Sequence, residues 1–110
     1  MARDDFFVIA YRILAYLYGC MKAGEKPDPA MISAERLGVP AGYRSSVLKN
    51  LLRKGYVEGM DEVEVPGFGT LIDPVEPEIT MDGVEFMQEN SAIARAKAAL
   101  KELKEIVPGL

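Results

Sequence analysis

Histidine is absent from the chain, and cysteine occurs once, at Cys20. Without histidine there is no His-based catalytic triad. The commonest general acid–base group is missing, and most zinc sites lose a ligand. A single cysteine forms no internal disulfide and no cysteine-rich metal cluster, which fits a reducing compartment. Cys20 falls in an apolar helical run and reads as a buried structural thiol. No apolar run approaches the ~20 residues of a membrane span. The first residues, Met1-Ala2-Arg3-Asp4-Asp5, carry acids where a signal peptide carries cations and then an apolar stretch. The expected location is the cytoplasm. The expected class is a non-enzyme without a cofactor.

Positive charge is missing from a long internal block. Residues 55–94 hold ten carboxylates and no Lys or Arg. Within it, Glu62 and Glu64 share one face of an expected strand beside Asp61. A solvated acidic ribbon is the expected reading, ahead of a Mg²⁺ site. Gly67-Phe68-Gly69 lies between two strands and opens no helix, so it is not a phosphate loop. Phe68 is expected to fold back on its hairpin; the alternative is a wedge between bases.

What is present is enough for one folded domain: 110 residues, 49% hydrophobic, net charge −4. The apolar spacing predicts a first helix over residues 4–22, capped by Asp4 or Asp5 and ended by Gly24. Its stripe of Phe6, Ala10, Ile13, Leu14, Leu17 and Met21 is widened by Phe7, Tyr11 and Tyr18. So wide an arc fits either a central helix covered on two sides or a subunit interface. A short helix is expected over residues 29–37, with a recapping point at Ser33. A basic helix follows over residues 40–54. A strand over 56–65, a turn at 66–69 and a returning strand over 70–73 make a hairpin. Residues 74–77 are a proline-bounded connector. Thr80 caps a helix over residues 81–90, and Ser91 caps a last helix reaching about residue 107. Ile93, Ala96, Leu100, Leu103 and Val107 give that helix a heptad-like seam.

The basic helix is the candidate binding element. It carries Arg44, Lys49, Arg53 and Lys54 and no acid. At 100° per residue, Val47, Leu48, Leu51 and Leu52 share one arc. Gly42, Ser45, Ser46, Lys49, Asn50 and Arg53 fall on the other side, with Ser45 at its edge. Arg44 projects toward the apolar arc, its stem packed and its head reaching out. A small, polar, cationic face suits a nucleic-acid groove. Lys49, Arg53, Arg44 and Lys54 would meet phosphates, and Ser45 and Ser46 would donate to phosphate or base edges. Four engaged cations predict a salt slope of about −3.6. The acidic hairpin opposes docking wherever it comes within a Debye length, ~8 Å, of the backbone.

Several motifs in order resemble one family. They are Ile13-Leu14-Ala15-Tyr16-Leu17-Tyr18 with Cys20, then Leu37-Gly38-Val39, Asn50-Leu51-Leu52 and Gly55-Tyr56-Val57-Glu58-Gly59. Ile79-Thr80-Met81-Asp82-Gly83, Gln88-Glu89-Asn90-Ser91 and Leu103-Lys104-Glu105-Ile106-Val107-Pro108-Gly109 complete the set. Together they are similar to the YjcQ family, small winged-helix proteins of Firmicutes and their prophages. The resemblance implies an α+β, mostly α fold: a winged helix-turn-helix over residues 1–110, with 91–107 as a C-terminal packing or dimerisation helix. It supplies no catalytic residues. Winged helices in general bind double-stranded DNA through the third helix, with the hairpin as the wing. This implies a DNA-binding or transcription-regulatory protein; the wide arc of the first helix and the seam of the last add the expectation of a homodimer. The departure is the wing, with Asp61, Glu62 and Glu64 and no cation. That leaves open an interaction module on the same frame, with the acidic hairpin meeting a protein partner.

Overall fold

The computed structural model describes residues 2–102. Helix α1 (Phe6–Ala23) begins where Asp5 Oδ1 accepts from the Phe7 N–H at 2.9 Å. It ends at Gly24, whose left-handed backbone lets the Glu25 N–H reach back to the Cys20 carbonyl. A 3-10 turn (Pro29–Ile32) follows the Asp28 cap, and Ser33 recaps a single helical turn, α2 (Ala34–Leu37). Helix α3 (Ala41–Arg53) starts at Pro40 without a side-chain cap. Then come β1 (Val57–Glu58), β2 (Asp61–Val65), β3 (Gly69–Asp73), β4 (Glu78–Ile79), α4 (Met81–Glu89) and α5 (Ser91–Glu102). The fold is α+β and mostly helical, with β2 and β3 forming an antiparallel hairpin.

Helix α1 is the hub. It packs against α3, α4, α5 and β4, and Ile9, Ile13, Leu14 and Leu17 are buried in the shared core. The middle of the two-sided apolar arc is therefore covered within one chain, with Phe6, Phe7 and Tyr18 half-buried and Met21 51% exposed at its margins. This helix also overturns the expectation about apolar runs. Its 18 residues and mean hydropathy of 1.3 are long and apolar enough to cross a membrane. The apolar side chains instead meet the other helices. Cys20 is half-buried rather than buried.

Three expectations for the second half change. The strand over 56–65 is broken at Gly59 and Met60 into β1 and β2. The proline-bounded connector leads into β4, which pairs antiparallel with β1 through Val57↔Ile79 and Glu58↔Glu78. The hairpin thus stands on a second, two-residue ladder. The cap of α5 is Asn90 rather than Ser91: its Oδ1 accepts from the N–H groups of Ala92 and Ile93. Ile93, Ala96 and Leu100 are buried against the body of the same chain. Leu103, Val107 and the expected helix end near residue 107 lie outside the described residues.

Candidate nucleic-acid interface

Two arginines fix the approach to α3. Arg12 of α1 donates through Nη1 to the Leu37 carbonyl and through Nη2 to the Arg36 carbonyl, both at 3.1 Å. They satisfy acceptors at the end of α2. Arg44 of α3 donates through Nε to the Ile32 carbonyl at 2.9 Å, at the end of the 3-10 turn. Tyr43 adds a third tie, its hydroxyl donating to the Asp4 carbonyl at 2.7 Å. α1, α2 and α3 are joined through side chains bonded to backbone, so the tilt of α3 is set by geometry as well as by apolar packing.

Those ties redistribute the six expected binding residues. Arg44 is half-buried. Burial pushes its guanidinium pKa down from the ordinary value, and nearby Asp73 opposes that shift. Its Nε is tied to the Ile32 carbonyl, which anchors the head at the half-buried edge of the helix. Ser45 departs furthest from expectation. It is only 5% exposed, and its Oγ accepts from the buried Ile72 N–H at 3.1 Å. It fastens β3 to α3 and is not available to a groove. A signal for this was present: Ser45 shares a helical stripe with Leu48 and Leu52, three and seven residues on.

Ser46, Arg53 and Lys54 are exposed, with Lys49 half-buried between them. Asn50 and Gly42 are exposed on the same side. Ser46 Oγ donates to the Gly42 carbonyl at 3.1 Å, and Asn50 Nδ2 donates to the Ser46 carbonyl at 2.8 Å. To donate to a base or phosphate, Ser46 must first release its single O–H from the helix, whereas Asn50 keeps a second amide N–H for a partner. The face that remains open therefore offers three cations and two polar side chains turned inward.

Replacing Ser45 with alanine separates the two roles. The Ile72 N–H would lose its acceptor in a buried place, a cost of about 1–3 kcal/mol. Urea unfolding is expected to show that loss. A groove-facing serine would instead alter stability by less than about 0.5 kcal/mol, so an unchanged midpoint contradicts the structural role.

The hairpin is acidic on its exposed strand. Asp61, Glu62 and Glu64 are exposed, and Thr70 Oγ1 donates to Glu64 Oε1. Two ladder positions set like charges directly opposite: Asp61↔Asp73 in the hairpin and Glu58↔Glu78 below it. Such pairs destabilise a ladder. Phe68 does not fold back; it is 78% exposed at the turn. Among the described residues no group of three acidic, His or Cys side chains is arranged to hold a metal ion.

The family model described as "YjcQ protein" matches residues 11–106. No curated protein and no solved structure matches the chain.

Proposed function

The chain belongs to the YjcQ family, and we propose that it is a cytoplasmic winged helix-turn-helix protein that docks α3 on double-stranded DNA. In this reading α2 and α3 form the helix-turn-helix and β2–β3 form the wing. The observation that carries it is the orientation of α3. Its apolar side packs on α1, α2, β1 and β3, while Gly42, Ser46, Asn50, Arg53 and Lys54 stay exposed. No acid lies on this helix. A transcription-regulatory role follows from DNA binding on such a frame. The protein acts without catalysis or cofactor. A homodimer would place two α3 helices about one DNA turn apart. Its interface must use surface other than the middle of the α1 arc, which is covered within the chain.

With Arg44 tied to the Ile32 carbonyl, Lys49, Arg53 and Lys54 are the cations free to meet phosphate. At −0.9 per phosphate, the salt slope should be about −2.7 per chain, and twice that for a dimer. Titrating a labelled duplex at several salt concentrations measures it. Absence of binding at low salt would overturn the proposal.

A second reading is favoured by the hairpin. The like-charged pairs, the exposed acids and the uncovered Phe68 suit a basic protein surface with an apolar pocket. In that case the ladder repulsion is relieved in the complex, and Phe68 serves as the anchor.

A further inference from the structure

A cleft of about 370 Å³ lies between α1, α4 and α5, away from the α3 face. From α1 it takes Tyr11, Tyr18 and Lys22, spaced i, i+7 and i+11, which is one side of a helix. Met87 of α4 and Ile93 and Lys97 of α5 complete its character. The volume falls in the range of small-molecule sites.

Two observations point to a ligand. The first is Tyr11. It is 2% exposed, and its hydroxyl has no hydrogen-bond partner. A buried hydroxyl without a partner is uncommon and costs stability. Burial pushes its pKa up, so the phenol keeps its proton and can donate. The second is charge. Lys22 Nζ sits 4.6 Å from the centroid of the Tyr18 ring, and Lys97 lies across the cleft on α5. No carboxylate lines this cleft among the described residues. By contrast, the shallow site beside the stacked Tyr56 and Phe86 is lined by Asp82, Glu85 and Glu89. In a chain of net charge −4, the α1–α4–α5 cleft is, apart from the α3 face, a place where an anion is drawn rather than repelled.

We propose that this cleft binds a small amphipathic carboxylate, its head held by Lys22, Lys97 or both, its body against Tyr18, Met87 and Ile93, and an acceptor oxygen on the Tyr11 hydroxyl. The rise of 1.5 Å per residue puts about 16 Å between the backbones of Tyr11 and Lys22. An elongated molecule fits that span better than a compact one. Lysine binds either anion as a point charge, but a carboxylate head brings one charge into this partly apolar cleft where a phosphate brings up to two, at a greater desolvation cost. The site shares no residue with the α3 face, so its failure leaves the DNA reading intact.

Octanoate is the probe, titrated into the full chain and followed by amide NMR shifts. Saturable shifts confined to α1, α4 and α5 are expected. Octanol, which keeps the chain and loses the charge, should bind about tenfold more weakly, the worth of a hydrogen bond to a charged group. Octanoate has no oxygen beyond its head, so Tyr11→Phe should leave its affinity nearly unchanged; it should weaken 8-hydroxyoctanoate, whose terminal oxygen can accept from Tyr11, several-fold, while the unliganded melting temperature stays level or rises. Lys22→Gln with Lys97→Gln alters solvent-side positions and should fold whatever Tyr11→Phe does; it too should weaken octanoate. No saturation at millimolar octanoate overturns the proposal, and so does equal affinity of Tyr11→Phe and the unaltered chain for 8-hydroxyoctanoate, the result if water alone satisfies Tyr11. Equal binding of octanol, or unchanged affinity in the double lysine variant, also overturns it.

Discussion

Gly59→Ala is expected to cost about 4 kcal/mol or more, placing it among the exceptional substitutions. Two terms add. Gly59 has φ +77°, where an L side chain costs about 1–2 kcal/mol. A Cβ built there would lie 1.8 Å from the Glu76 carbonyl oxygen and 2.6 Å from its carbon. That contact is with backbone, so no rotamer change relieves it. The backbone is itself held: the Glu76 N–H donates to the Gly59 carbonyl at 2.9 Å, and β1 pairs with β4 just beyond. Relief means parting the two strands that carry the hairpin. A domain of this size has total stability of only about 5–15 kcal/mol. Circular dichroism with urea unfolding should find the variant largely or wholly unfolded at modest urea. Gly67→Ala is the control. It has φ +84° at the hairpin turn but nothing within 4 Å of a built Cβ, so only the conformational cost applies. Equal losses at the two positions would show that the base of the hairpin yields, and that the steric argument is wrong.

The same region marks where the sequence was legible and where it was not. α1, α3, the β2–β3 hairpin and the Thr80-capped helix all carry local signals: apolar spacing, a cap, a glycine stop or period-2 alternation. The structure has each within a few residues of expectation. β4 has no such signal. Glu78-Ile79 is two residues long, too short for a period, and its partner Val57-Glu58 lies about twenty residues earlier. Its existence depends on a non-local pairing. Ser45 fails for a related reason. The wheel gave its angle at the edge of the apolar arc, but whether that edge meets water or a strand depends on where β3 returns. Asn90 and Ser91 are adjacent residues of equal capping ability, and only backbone geometry decides between them. Phe68 was expected to fold back because a lone aromatic usually finds cover; here the turn carries it clear of the body. The hydropathy of α1 misleads in the opposite sense, since a central helix of a folded domain and a membrane span differ in surroundings rather than in composition.

The largest functional effect is expected from Lys49→Glu combined with Arg53→Glu. In water, two unit charges 4 Å apart interact by about 1 kcal/mol. The two reversals change the charge of the open α3 face by four units. Affinity for a duplex should therefore fall by about 4 kcal/mol, roughly a thousandfold. The salt slope should flatten as well, because Lys54 alone remains and gives about −0.9. Neither side chain makes a contact on which the core depends, so stability should change by less than about 0.5 kcal/mol. Arg95→Glu, at an exposed site on α5, changes net charge without touching α3. It should lower affinity only through the long-range field, which screening over ~8 Å at physiological salt makes small. This control distinguishes a docking face from a general charge effect, a necessary distinction in a protein whose hairpin already repels phosphate. Comparable losses in the double variant and in the control would remove α3 as the interface. Binding left unchanged by the double reversal would do so more directly, and would turn attention to the acidic hairpin, where Phe68 and the like-charged pairs Asp61↔Asp73 and Glu58↔Glu78 make a basic protein partner the better physical match.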